Sequence, residues 1–137
     1  MSYWLLKTEP TDYSFDDLVR DRRVVWEGVK NPTALGHLRR VEKGDTVVIY
    51  HTATEKSAIG LAEVTRGPYP DPKLSDPKRV VVDLKPLRRL AAPVPLATFR
   101  ADAVLKTTEL VRISRLSVVP LTAAHFARVL ERAGEKA

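Results

Sequence analysis

The sequence predicts a small α+β domain, a small β-barrel with short helices packed around it, its sheet mostly but not necessarily wholly antiparallel. Three observations carry this. The chain has 137 residues and is 44% hydrophobic, enough to bury a core without covalent staples. Strand-like and helix-like segments follow one another as strand, helix, helix, hairpin, strand, short helices, strand, helix. No repeat, linker or low-complexity stretch divides residues 1–137, so a single domain is expected.

The first strand is "SYWLLK", residues 2–7, ended by the Glu9-Pro10 turn. "SFDDLVRD", 14–21, reads as a short helix with Ser14 as N-cap and Asp16 and Asp17 favouring its positive end. Residues 24–26 are a brief extended piece stopped at Gly28. Asn31-Pro32 then opens a second helix, with Leu35, Leu38 and Val41 on one apolar face. Lys30, His37, Arg39, Arg40 and Lys43 surround that face as a basic, solvated flank. "TVVIYHT", 46–52, and "AIGLAEVT", 58–65, form an antiparallel hairpin, and Gly60 within it marks a bulge or a close approach. Four of the ten prolines fall in 67–78, which is expected to be a loop. A strand follows over 79–87, with Pro86 placing its end at a sheet edge. Short helices over 95–105, an extended segment over 111–121 and a Thr122-capped helix with Phe126, Val129 and Leu130 buried complete the chain.

Composition narrows the chemistry. There is no cysteine, hence no disulfide, thiolate metal site or cysteine nucleophile. The charge of +6 favours a polyanionic partner, nucleic acid first, against the plainer reading of a generic basic surface. The first ten residues lack the pattern of a secretory signal, and no apolar run approaches the ~18 residues of a membrane span. A soluble, cytoplasmic protein is expected. No G-x-S-x-G elbow, P-loop or G-x-G-x-x-G cradle occurs, and His37, His51 and His125 have no metal-ligand spacing. Asp16-Asp17 reads as helix-start acids rather than a catalytic pair. Neither a metal nor a cofactor is expected.

One placement stands out. Trp26, one of two tryptophans, lies two residues before Gly28 and at the mouth of the Asn31 helix. It is either a core plug or the wall of a pocket that a flat ligand enters. A flipped-out base offers such a ligand: stacking on an aromatic contributes about 1–3 kcal/mol, and donors and acceptors then read its edge.

Four blocks resemble the EVE domain family, in the PUA-like superfamily that also includes the YTH readers of methylated RNA. They are "YWLLKTEPTDYSFDDL" (3–18), "VWEGVKNPTALGHLR" (25–39), "GDTVVIYHTATEKSAIGLAEV" (44–64) and "LVRISRLSVVPL" (110–121), which stand in the family's order. The resemblance implies a PUA-like twisted barrel that inspects one extruded, modified base. It implies that Trp26 of W-x-G-V stacks on the base, that Gly28 is part of the pocket, and that Thr8 and Glu9 lie beside it. Asn31, Tyr50, His51 and Thr52 would add walls and hydrogen bonds, and the "SRLSV" block, Ser114 to Val118 with Ser117 in it, would close the far side. Val29, Ala34 and Leu116 would form an apolar niche for a methyl group. Lys7, Lys30, Arg39, Arg40 and Arg115 would meet phosphates. The chain departs from the family at Pro32, where an aromatic is usual, and at Leu35-Gly36, where an Arg-Asn pair is usual.

Each residue also has a plain structural reading: Asn31 as a helix cap, His51 as a satisfied buried histidine, Arg115 as a surface cation. The expectation is a monomeric reader of DNA or RNA, single-stranded or with an extruded base, recognising modified cytosine or adenine without catalysis. The alternatives are a domain holding a small nucleobase-like molecule and, third, an RNA-processing or DNA-repair enzyme.

Overall fold

The computed structural model describes residues 1–135. Strand β1 (Tyr3–Thr8) lies inside the sheet, parallel to β3 (Thr46–His51) and antiparallel to β6 (Val118–Leu121). Its Trp4, Leu5 and Leu6 are all buried, so both sheet faces are covered at this strand. The Trp4 indole N–H donates to Asp45 Oδ2 at 2.9 Å, and the Ser2 and Glu42 amides also donate to that carboxylate. These three bonds satisfy a buried acid and fix the start of β3 against β1.

Helix α1 (Phe15–Asp21) starts with a capping box: Asp17 N–H donates to Ser14 Oγ, and Ser14 N–H to Asp17 Oδ2. Strand β2 (Val24–Trp26) follows, then α2 (Pro32–Leu38). Asn31 Oδ1 accepts the Thr33 and Ala34 amides at 2.9 and 3.1 Å, so the cap predicted from Asn-Pro is present.

Strands β3 and β4 (Ser57–Pro70) pair as the predicted antiparallel hairpin. Gly60 fulfils both expectations for it. The β4–β5 register shifts between Ala58 and Gly60, and a Cβ there would lie 2.5 Å from the buried Phe15 ring. The next two strands are longer than expected. Strand β4 continues through Pro70, and β5 runs Val80–Pro95, so the loop expected over 67–78 shrinks to 71–79. Four register irregularities let the pair absorb prolines that would break a regular ladder. At one of them Gly67 has φ of 108°, and a Cβ there would stand 2.9 Å from Val81 O. Pro86 does lie on an edge, because β2 covers only Val82–Leu84 of β5, but the strand does not end there.

Helix α3 (Leu96–Ala101), a 3-10 turn (Leu105–Thr107) and α4 (Glu109–Arg112) precede β6 and α5 (Ala123–Arg132). The extended segment expected over 111–121 is therefore corrected: only its last four residues are strand. The alternation of Val111 and Ile113 mimics a strand period, but α4 claims the first and a turn follows. Asp102 joins this region to α5. Its buried carboxylate accepts from the Val104 and Leu105 amides and from Arg132 Nε at 2.6 Å. Burial pushes its pKa up, but those bonds and nearby Arg128 outweigh burial and hold it at about 2.

The six strands form one sheet in the order β2-β5-β4-β3-β1-β6. The α+β class stands, but the expected barrel does not close. Among the described residues β2 pairs only with β5, and β6 only with β1. Helix α2 contacts both β6 and β5 and covers the core across that gap. No described helix is long and apolar enough to cross a membrane.

Candidate nucleic-acid interface

Glu9-Pro10 turns the chain sharply after β1. Glu9 O accepts the amides of Asp12 and Tyr13 at 2.9 Å, and Thr8 Oγ1 donates to Tyr13 O at 2.6 Å. This compact turn brings Tyr13 back towards β2. Its ring meets the Trp26 indole edge-on, with centroids 6.4 Å apart and planes at 85°. The Tyr13 hydroxyl donates to Asp21 Oδ2; burial first, and then this bond, push the phenol pKa well up, so it stays protonated.

Between the turn and β2 lies an open cavity of about 500 Å³. Trp26 and Tyr13 give it aromatic walls, Val24 and Val25 an apolar flank, and Glu9, Asp12 and Glu27 an acidic edge, with Thr8 and Lys7 at the end of β1. Trp26 is 9% exposed, so the two readings of it merge: it is packed in the core and also presents a face to a cavity. Such a cavity suits a planar heterocycle carrying an amine, since carboxylates accept from N–H donors and repel phosphate.

The structure brings only part of the expected pocket here: Trp26, Thr8, Glu9 and Lys7. Gly28 sits outside it in the exposed segment between β2 and α2 with φ of 84°, where a left-handed backbone favours glycine. Val29, Ala34 and Leu116 are buried in the core and line no part of this cavity. Asn31 is exposed and spends its oxygen on the α2 cap. His51 is 4% exposed; its Nε2 accepts the Phe15 amide at 3.0 Å, which leaves Nδ1–H to face Glu55 at 3.1 Å. It clamps α1 to β3 and does not reach the cavity. Ser117 also lies away, its carbonyl accepting the Lys7 amide at 3.0 Å.

Tyr50 and Thr52 face a second cavity, of about 160 Å³, with Lys7, Lys56, Arg100 and Ser114. The parallel register explains this, because Lys7 and Tyr50 are paired on neighbouring strands. Lys7 Nζ donates to Ser114 O at 2.9 Å, and burial pulls its pKa down. Lys30 and Arg39 border a third, broader hollow of about 520 Å³ with Lys78, Arg79 and Asp76. Arg39 and Arg79 are held there by the carbonyls of Lys78 and Val29. Arg40 points elsewhere, over the Trp4 ring at 5.7 Å. Arg115 is exposed in the turn before β6.

The sequence reading missed Tyr13, Asp12 and Glu27. A tyrosine in a turn just before an N-cap, with no apolar periodicity to join, was the available signal. Among the described residues no group of three or more His, Asp or Glu is placed to hold a metal ion.

A single mixed sheet ringed by short helices, with an aromatic and acid-edged cavity where β1 ends, defines a small α+β domain with an opening for a flat ligand. The chain belongs to the EVE domain family, whose sequence model matches residues 2–132. It is similar to human thymocyte nuclear protein 1, at 28% identity over 163 residues, covering 94% of this chain and 72% of that protein. It superposes on the solution structure of Rpa0253 from Rhodopseudomonas palustris with a TM-score of 0.92 and 38% identity, over 98% of this chain and 94% of the other. Human THYN1, solved in complex with 5-methylcytosine-containing DNA, superposes with a TM-score of 0.90 and 27% identity, over the whole of both chains.

Proposed function

We propose that this chain is a DNA reader that admits one extruded base, a modified cytosine, into the Trp26–Tyr13 cavity and works by recognition without covalent chemistry. The observation that carries the proposal is the pairing of aromatic walls with an acidic edge in one opening. The relative bound to 5-methylcytosine-containing DNA supports the choice of DNA and of cytosine.

The energetics are consistent. Extracting a base costs a few kcal/mol, least from a single strand or a damaged pair. Stacking returns about 1–3 kcal/mol. Glu9, with Asp12 or Glu27, would accept from the exocyclic amine. The acids also explain a separation of tasks: they turn phosphates away from the cavity, while the Lys30, Arg39, Lys78 and Arg79 hollow offers the backbone a positive track. The 5-methyl group would rest on Val24 or Val25. Burying it is worth about 0.8 kcal/mol, or roughly fourfold in affinity.

The test is fluorescence anisotropy with labelled oligonucleotides, single-stranded and duplex, that differ only in one central base. The expected result is tighter binding, by roughly fourfold, of 5-methylcytosine over cytosine, with affinity falling steeply as salt rises. Equal affinity for every base would contradict the proposal. Salt-independent binding of free nucleosides, with no oligonucleotide binding, would favour the small-ligand alternative.

A further inference from the structure

The second cavity has a composition opposite to the first. Lys7, Lys56 and Arg100 line it with the hydroxyl-bearing Tyr50, Thr52 and Ser114, and no described carboxylate does. Three cations thus border about 160 Å³ with hydroxyls between them, and the acids near Lys7 lie on its other side, in the first cavity. Arg100 is close enough to Tyr50 for its charge to oppose the burial that pushes the phenol up to about 12. The loop that carries Lys56 is also unusual. Ala53 and Lys56 hold left-handed backbone, with φ of 61° and 42°, although neither is glycine. Two such residues within four positions store strain in the loop lining the cavity.

We propose that this cavity binds a phosphate group, and that in the complex it holds the backbone phosphate flanking the extruded base. Lys7 lines both cavities, so the two ligands would sit on either side of one residue. Lys56 and Arg100 supply charge, the Tyr50 hydroxyl donates to a phosphate oxygen, and Lys7 and the Thr52 hydroxyl turn from the Ser114 and Thr8 carbonyls to the incoming anion. The placement of a phosphate beside the base rests on the reader proposal above; the affinity of the cavity for phosphate does not.

The experiment has three arms. Inorganic phosphate is titrated into the protein while backbone amides are followed by NMR; shifts centred on Thr52, Ala53 and Lys56 are expected. Oligonucleotide affinity is then measured against salt for the native chain and for the double variant Lys56→Gln, Arg100→Gln. Both side chains are exposed, so the variant is expected to fold, and its Tm verifies this. Removing one neutralised phosphate should flatten the slope of log K against log salt by ~0.7 for a single strand and weaken binding about tenfold at moderate salt. An unaltered slope in the folded variant overturns the backbone assignment, and if phosphate still shifts the amides, the cavity takes a free phosphate instead. Absence of any phosphate shifts together with an unaltered slope overturns the site altogether. The third arm titrates the free nucleoside 5-methyl-2′-deoxycytidine, which carries no phosphate. Its failure to bind, with the phosphate results intact, would sink the base cavity and leave the phosphate site standing.

Discussion

Replacing Trp26 by alanine removes both things this side chain does, and the two losses can be computed apart. As packing, the indole is 9% exposed and ends a strand that pairs through Trp26↔Val82. Trp→Ala in a closed core costs about 3–5 kcal/mol. One flank of Trp26 already faces open space, which sets the loss at the low end, about 3 kcal/mol. For a chain of this length that lowers Tm by roughly 10 °C and leaves the protein folded at room temperature. As a stacking surface, the indole is worth about 1–3 kcal/mol, a roughly 5- to 150-fold loss of oligonucleotide affinity. Trp26→Phe should keep the fold and lose less than about tenfold, because a smaller ring still stacks. Circular dichroism melts give the first quantity and anisotropy titration, well below Tm, gives the second. A folded Trp26→Ala variant that binds as tightly as the native chain would refute the reasoning.

Other perturbations separate the site from its scaffold. Glu9→Gln should weaken binding of a cytosine-bearing oligonucleotide by about 1 kcal/mol, roughly fivefold, by replacing a charged acceptor for the amine with a neutral amide, with Tm little changed; anisotropy reads it. Asn31→Ala should lower stability by about 1 kcal/mol through loss of the cap, yet leave oligonucleotide affinity unchanged, as paired denaturation and titration would show. Gly60→Ala drives a Cβ into the buried Phe15 ring and should cost about 1–3 kcal/mol in urea denaturation. Asp102 sets an acid dependence. Its folded pKa, about 2, lies below the ordinary 3.8, so the stability it gives is complete above pH ~4 and is lost as pH falls towards 2. Asp102→Asn should therefore show a shallower loss of stability over that window, measured by urea midpoints.

The caps and the hairpin were legible because each depends on a few adjacent residues. Ser14 with Asp17, Asn31 with Pro32, and Thr122 with the α5 amides act within one helical turn. Gly60 was legible as a demand for space, though not that Phe15 makes the demand. The length of β4 and β5 was not. Prolines at 68, 70 and 86 signal a broken ladder locally, and only pairing to a bulged partner lets strand continue through them. The open sheet was hidden for a related reason: closure depends on whether β2 and β6 meet, and α2 fills that place.

For the site, Trp26, Thr8, Glu9 and Lys7 were named, since they fall in two short blocks that the fold brings together. His51, Tyr50 and Thr52 were placed in the same pocket as neighbours in sequence, but alternation along β3 and the β1 register turn them elsewhere. Val29, Ala34 and Leu116 suit a methyl niche by their apolar side chains, and packing takes them into the core instead. The acids that define the cavity edge, Asp12 and Glu27, are ordinary surface residues in the sequence. Their role exists only once the Glu9-Pro10 turn faces β2.

A crystal structure of the chain with a short DNA carrying one 5-methylcytosine tests the central claim most directly. The account predicts that base lying out of its strand, its ring against the Trp26 indole and its amine towards Glu9. A bound strand with the methylated base still stacked among its neighbours, and water alone in the cavity beside Trp26, would contradict it.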